Sequence, residues 1–93
     1  MERRGDWARN VRTGVPAGSA TVEVRDFGTD ALSTLYSDNG VTPKANPFTA
    51  AADTGIYGWY AANGRYTETI TPESGGGDEY QNPDLLLYDP EDV

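Results

Sequence analysis

Residues 55–71 read GIYGWYAANGRYTETIT. Two runs flank an Asn-Gly pair. In the first, Tyr57 and Trp59 share a face while Gly58 leaves the opposite face bare. In the second, Tyr66 and Ile70 share a face opposite Thr67, Thr69 and Thr71. Alternation with period two marks a half-buried strand. Asn-Gly is the strongest short-range hairpin signal, because both residues tolerate positive φ. The stretch is therefore expected to fold as a β-hairpin turning at Asn63-Gly64. The bare face at Gly58 predicts a bulge or the close approach of another backbone.

Working outward, residues 20–27 (ATVEVRDF) alternate again, with Val22 and Val24 on one face and Thr21, Glu23 and Arg25 on the other. FGTDA (27–31) reads as a turn, ALSTLYS (31–37) as a second strand, and SDNG (37–40) as another turn. VTPKANPFTA (41–50) holds two prolines four residues apart, each lacking an N–H, so it reads as a loop or edge segment. PESGGGDEYQNP (72–83) reads as a flexible connection, and DLLLYDP (84–90) as a last strand. No window has helical periodicity. Short strands at this spacing predict an all-β chain, a small antiparallel β-sandwich of transthyretin-like or Ig-like kind. Residues 1–19 show no strand periodicity and are expected to form an extended N-terminal arm. The sandwich would span 20–88, with an acidic C-terminal tail at 89–93.

Composition narrows the chemistry. With 93 residues, a single domain is expected, one that buries only about 60–65% of its unfolded surface. The absence of cysteine and histidine excludes disulfides, thiolate or imidazole zinc sites and a Ser-His triad. Oligomerisation is the stabilising aid that remains. No apolar run approaches the roughly 18 residues that span a bilayer, and MERRGDWARN lacks the apolar core of a signal peptide. A soluble chain made in the cytosol, with no membrane partner, is expected. A net charge of −8 argues against nucleic acid.

That charge is unevenly spread. Arg3, Arg4, Arg9 and Arg12 face only Glu2 and Asp6 in residues 1–12, whereas residues 73–93 carry seven carboxylates and no basic residue. Opposite-sign ends are either solvated or dock on neighbouring copies or a larger assembly. On the docking reading Arg3, Arg4, Trp7, Arg9, Arg12, Asp89, Glu91 and Asp92 are the candidate partner-binding residues. Trp7 would be the anchor, since tryptophan is enriched in such roles.

Three segments carry possible catalytic or ligand motifs. ADTG (52–55) contains the Asp-Thr-Gly of aspartic proteases, which would make Asp53 a shared-proton carboxylate in a dimer. Its position in mid-chain, after FTAAA rather than an apolar strand, instead favours a turn with Gly55 at positive φ. YDPEDV (88–93) lacks a calcium-loop pattern, and SGGGD lacks the strand-before, helix-after context of a phosphate loop. The chain is thus expected to be no enzyme and to take neither metal nor cofactor. Tyr57, Trp59, Tyr60 and Tyr66 could stack on a glycan, although in a small sandwich such aromatics more often form the core.

The run STLYSDNGVTPKANPFTAAADTGIYGWYAANGRYTETIT (33–71) resembles a recurrent module of tailed-bacteriophage structural proteins, found near the N-termini of tail fibres and in small virion proteins. The module is similar in turn to transthyretin-like and carboxypeptidase-regulatory-like β-sandwiches. The resemblance rests on Tyr36, Ser37 and Asp38, on Asn46-Pro47, on Asp53, Gly55, Tyr57 and Tyr60, and on Gly64, Arg65 and Tyr66. LLLYDPEDV echoes the module's last strand. No fibre shaft or coiled coil follows, which favours a small stand-alone component. The resemblance implies a structural virion protein, made in the host cytoplasm, that binds other virion proteins (major capsid, neck or tail) as a homo-oligomer or lattice-bound multi-copy component.

Overall fold

A computed structural model describes residues 1–29, 31–38, 40–73 and 77–90. These form eight strands and no α-helix: β1 (Glu2–Trp7), β2 (Thr21–Asp26), β3 (Leu35–Tyr36), β4 (Pro43–Lys44), β5 (Phe48–Thr49), β6 (Ile56–Ala61), β7 (Gly64–Thr71) and β8 (Tyr80–Leu87). They make two antiparallel four-stranded sheets, ordered β1-β6-β3-β4 and β5-β2-β7-β8. The chain is a small antiparallel β-sandwich, as its alternating runs imply.

The expected hairpin is absent. β6 and β7 are consecutive but lie in different sheets, so the Asn63-Gly64 segment is an arch that carries the chain across the core. Neither Asn63 nor Gly64 has the positive φ that a two-residue hairpin turn requires. The inward faces explain the choice. A hairpin would set Trp59 and Tyr66 side by side on one sheet, whereas the arch sets them face to face. Their rings meet edge-on, 5.4 Å apart at 76°. The Asn63 amide is engaged elsewhere: its Nδ2–H donates to the Asp89 carbonyl (3.1 Å) and its Oδ1 accepts from the Asp89 N–H (2.7 Å). The Tyr66 hydroxyl closes the arch on the Ala62 carbonyl at 2.6 Å.

The N-terminal segment is extended, but it lies in the first sheet rather than apart from it. β1 pairs along its whole length with β6, from Glu2 opposite Ala61 to Trp7 opposite Ile56. Ala8, Ala17 and Ala20, within the connection to β2, are buried. Apolar alternation is missing from β1 because its inward positions are Arg4 and Asp6, which face a polar part of the interior.

Two other boundaries differ from expectation. Residues 31–37 are not one strand. Leu32 bridges Arg25 beside β2, whereas Leu35 and Tyr36 form β3 in the opposite sheet. Asn46 sits where the chain changes sheets, with its Nδ2–H donating to the carbonyls of Val24 (2.7 Å) and Ser33 (2.9 Å) and its Oδ1 accepting from the Val24 N–H (3.0 Å). The last strand begins at Tyr80, inside the expected connection, and passes through Pro83. An edge strand tolerates a proline, and here the register slips by one residue between Tyr66 and Glu68, setting Thr67 opposite both Pro83 and Asp84. The central part of that connection, 74–76, lies outside the described residues, as does Asn39 of the SDNG turn.

The short segments around the two prolines are edge strands, as read: β4 and β5 are two residues each and flank their sheets. The core between the sheets is Val22 and Val24 of β2, Leu35 of β3, Tyr57, Trp59 and Ala61 of β6, Tyr66 and Ile70 of β7, and Leu87 of β8.

The ADTG segment is a turn closed on itself, with the Gly55 N–H donating to the Ala51 carbonyl (2.9 Å) and Asp53 exposed. Gly55 has φ +71°, and a Cβ there would lie 2.6 Å from the Ala8 carbonyl oxygen. Gly55→Ala is therefore expected to destabilise the domain by about 1–3 kcal/mol, whereas Asp53→Ala should change stability by less than about 0.5 kcal/mol. Thermal unfolding of the two variants checks this pair.

Candidate functional site

The residue that organises the interior was not among the candidates. Glu68 lies on the inward face of β7 between Tyr66 and Ile70 and is fully buried. Its Oε2 accepts the indole N–H of Trp59 at 2.7 Å. Its Oε1 accepts the Tyr57 hydroxyl (3.0 Å), the Asn82 amide N–H (2.9 Å) and two N–H groups of Arg4 (3.3 and 3.4 Å). Arg4 also pairs with Asp6 at 2.8 Å. One carboxylate thus joins β1, β6, β7 and β8. A buried charge persists only when paired and hydrogen-bonded, and among the described residues no buried side-chain nitrogen or oxygen lacks a partner.

The network also sets the ionisation of Tyr57. Burial, and then the neighbouring Glu68 charge, push its phenol well above the usual tyrosine range. The fold therefore favours the neutral phenol. The stabilisation this gives is complete below about pH 10, the ordinary tyrosine value, and is lost as pH rises above it. The transition midpoint is expected to fall between roughly pH 10 and pH 11, and to fall less in Tyr57→Phe. Thermal unfolding followed across that range tests the direction.

Glu68 has no exposed atom, and the described surface has no cleft of small-molecule size. The carboxylate holds four strands together. Trp59 and Tyr57 are likewise interior, 0% and 5% exposed, so these two rings form core, and the alternative of a sugar-stacking face around Trp59 loses them. Among the described residues, no group of three or more histidines, cysteines or carboxylates is placed to hold a metal ion.

The surface chemistry lies on the outer face of β1 and β6. The cross-strand pairs there are Trp7 with Ile56, Gly5 with Gly58, and Arg3 with Tyr60. Trp7 and Ile56 are 37% and 56% exposed. The two glycines form a shelf across which the Arg3 guanidinium lies, in contact with both. What approaches the bare face at Gly58 is thus a side chain rather than a backbone. Arg9 is held between two rings, its guanidinium carbon 5.5 Å from the Trp7 centroid and 5.4 Å from that of Tyr80, which fixes Trp7 from below. Tyr60 continues the surface towards Tyr36, its partner on β3.

The candidate residues therefore separate. Arg3 and Trp7 sit together on this face and Arg9 buttresses it. Arg4 turns inward to Glu68 and Asp6. The opposite-sign ends meet within the chain: the N-terminal ammonium pairs with Asp89 at 3.0 Å, and Arg12 pairs with Asp78 at 2.8 Å across an exposed surface. Glu91 and Asp92 lie outside the described residues. Comparison with family models, curated proteins and solved structures found no match.

Proposed function

We propose that the chain is a non-enzymatic, protein-binding structural module and, on the resemblance of residues 33–71, a structural virion protein of a tailed bacteriophage. In this reading it is made in the host cytoplasm and binds the major capsid, neck or tail proteins as a multi-copy decoration protein or adaptor. The observation that carries the binding part is the exposed Trp7–Ile56 pair beside Arg3 and Tyr60, presented on a paired sheet rather than a loop. Aromatic and arginine side chains with little entropy left to lose are the usual anchors of interfaces. Many copies on a symmetric lattice would add avidity. Docking would also stabilise a domain of this size by mass action.

Because β1 belongs to the fold, a point substitution is a cleaner test than truncation. Trp7→Ala should leave the circular dichroism spectrum unchanged and weaken attachment to particles lacking the protein by about 30-fold or more, the loss of one anchor worth ≥2 kcal/mol. Attachment as tight as that of the parent chain would remove the proposed face.

A further inference from the structure

Each sheet has two edges, and three of the four carry devices that discourage further pairing. β4 and β5 are two residues long, and β8 contains Pro83 and a bulge. β1 has six residues, no proline and an unbroken register with β6. Its hydrogen-bonding parity follows from its neighbours. The Ala8 N–H donates to the Gly55 carbonyl, in register with the β1–β6 ladder. Hence Glu2, Arg4 and Asp6 point their backbone groups at β6, while Arg3, Gly5 and Trp7 point theirs outward. Side chains of the strand itself confirm this. The Arg3 N–H donates to the Glu2 carboxylate (2.9 Å) and the Trp7 N–H to the Asp6 carboxylate (2.8 Å). These contacts reach only one residue, and the Trp7 carbonyl accepts from the Arg9 guanidinium (3.3 Å); all three are exposed, so an incoming strand's backbone groups can replace them.

The order of charges selects the occupant. For two β1 strands related by a two-fold axis normal to the sheet, an axis through Arg4 sets Arg4 against Arg4 and Glu2 against Asp6. An axis through Asp6 sets Asp6 against itself. Both place like charges in directly opposed pairs, which destabilises a sheet. An axis through Gly5 sets Arg4 against Asp6 twice on the inner face and Arg3 against Trp7 twice on the outer face. Arg4 and Asp6 then meet opposite charges, Arg3 meets a ring, Glu2 falls opposite the small Ala8, and the glycines, which carry no side chain, meet at the axis. In the same register the outward backbone groups of Arg3, Gly5 and Trp7 satisfy one another.

We propose that a second copy of this chain pairs with β1, antiparallel and centred on Gly5, joining the two first sheets into one eight-stranded sheet. The proposal rests on the reading above only in taking the β1 side as the binding side, and the virion assignment does not enter it. The resulting dimer is isologous, as most homodimers are, and brings two copies of the Trp7 face onto one surface.

Sedimentation of the full chain from micromolar to millimolar concentration is the test. A monomer–dimer equilibrium is expected, abolished in Gly5→Pro, whose lost N–H points away from β6. Because the chain has no cysteine, Gly5→Cys supplies a second measurement that does not depend on how the proline variant folds. Two-fold pairing sets the introduced thiols within about 4.4–6.8 Å between Cα atoms, the disulfide range. Mild oxidation should therefore cross-link Gly5→Cys far faster than the exposed control Thr29→Cys. A monomer throughout the concentration range, or a dimer that cross-links no faster than the control, would overturn the proposal. A strictly monomeric chain that still attaches to particles through Trp7 would overturn it while leaving the proposed function standing.

Discussion

Replacing Glu68 by alanine is expected to cost about 3–5 kcal/mol, because it leaves Arg4 with Asp6 as its carboxylate partner and strands the buried Tyr57 and Trp59 donors together with the half-buried Asn82 amide. For a domain of this size that corresponds to a fall in Tm of roughly 15–30 °C, a large part of a total stability of about 5–15 kcal/mol. The partners left behind are Tyr57, Trp59 and Asn82, each of which donates to the carboxylate. Glu68→Gln keeps the volume but turns a donor towards other donors, and should fall between the parent and the alanine variant. Arg4→Met and Glu68→Met together should destabilise less than the sum of the two alone, since the pair then loses both charges. Equilibrium denaturation of the cycle measures the coupling; a loss below about 1 kcal/mol in Glu68→Ala would show that the carboxylate is not structural.

Asn46→Ala is expected to produce the second largest loss, about 2–4 kcal/mol, since three half-buried backbone groups lose their partner at once. Those groups are the N–H and carbonyl of Val24 and the carbonyl of Ser33. Asn46→Asp separates the two halves of the clamp. It keeps an acceptor for the Val24 N–H and sets a carboxylate against two carbonyls, so it should be at least as damaging as alanine. If Asn46→Asp were as stable as the parent chain, the clamp would not be holding the crossover between sheets.

The alternating runs at 20–27 and 55–71 were legible because an inward face writes itself as period two. Which strands pair was not. A hairpin and an arch produce the same alternation on either side of Asn63-Gly64, and the choice between them is made across the core, where Trp59 meets Tyr66 edge-on. β1 carries no such mark, for the opposite reason. Its inward positions are charged, so no apolar period marks it. One signal was present throughout: Glu68 lies in phase with Tyr66 and Ile70, and a carboxylate on a buried face must find donors. Tyr57 and Trp59, in phase on the neighbouring run, are two of them. At the surface, the exposure of Trp7 was legible, since it is the one large apolar side chain among polar and charged neighbours. The pairing of the opposite-sign ends with each other depends on the strand order, which no local pattern encodes.

Residues 2–7 form a strand of the sandwich, tied to Glu68 through Arg4 and presenting Trp7 on its outer face. Amide hydrogen exchange at Arg4, Asp6 and Ala8 tests it most directly, because these three N–H groups face β6. Protection comparable to that of Val22 and Ile70 in the core is expected, together with selective loss at the β1 amides in Glu68→Gln. Exchange at the rate of an unstructured peptide, with the rest of the sandwich protected, would contradict it.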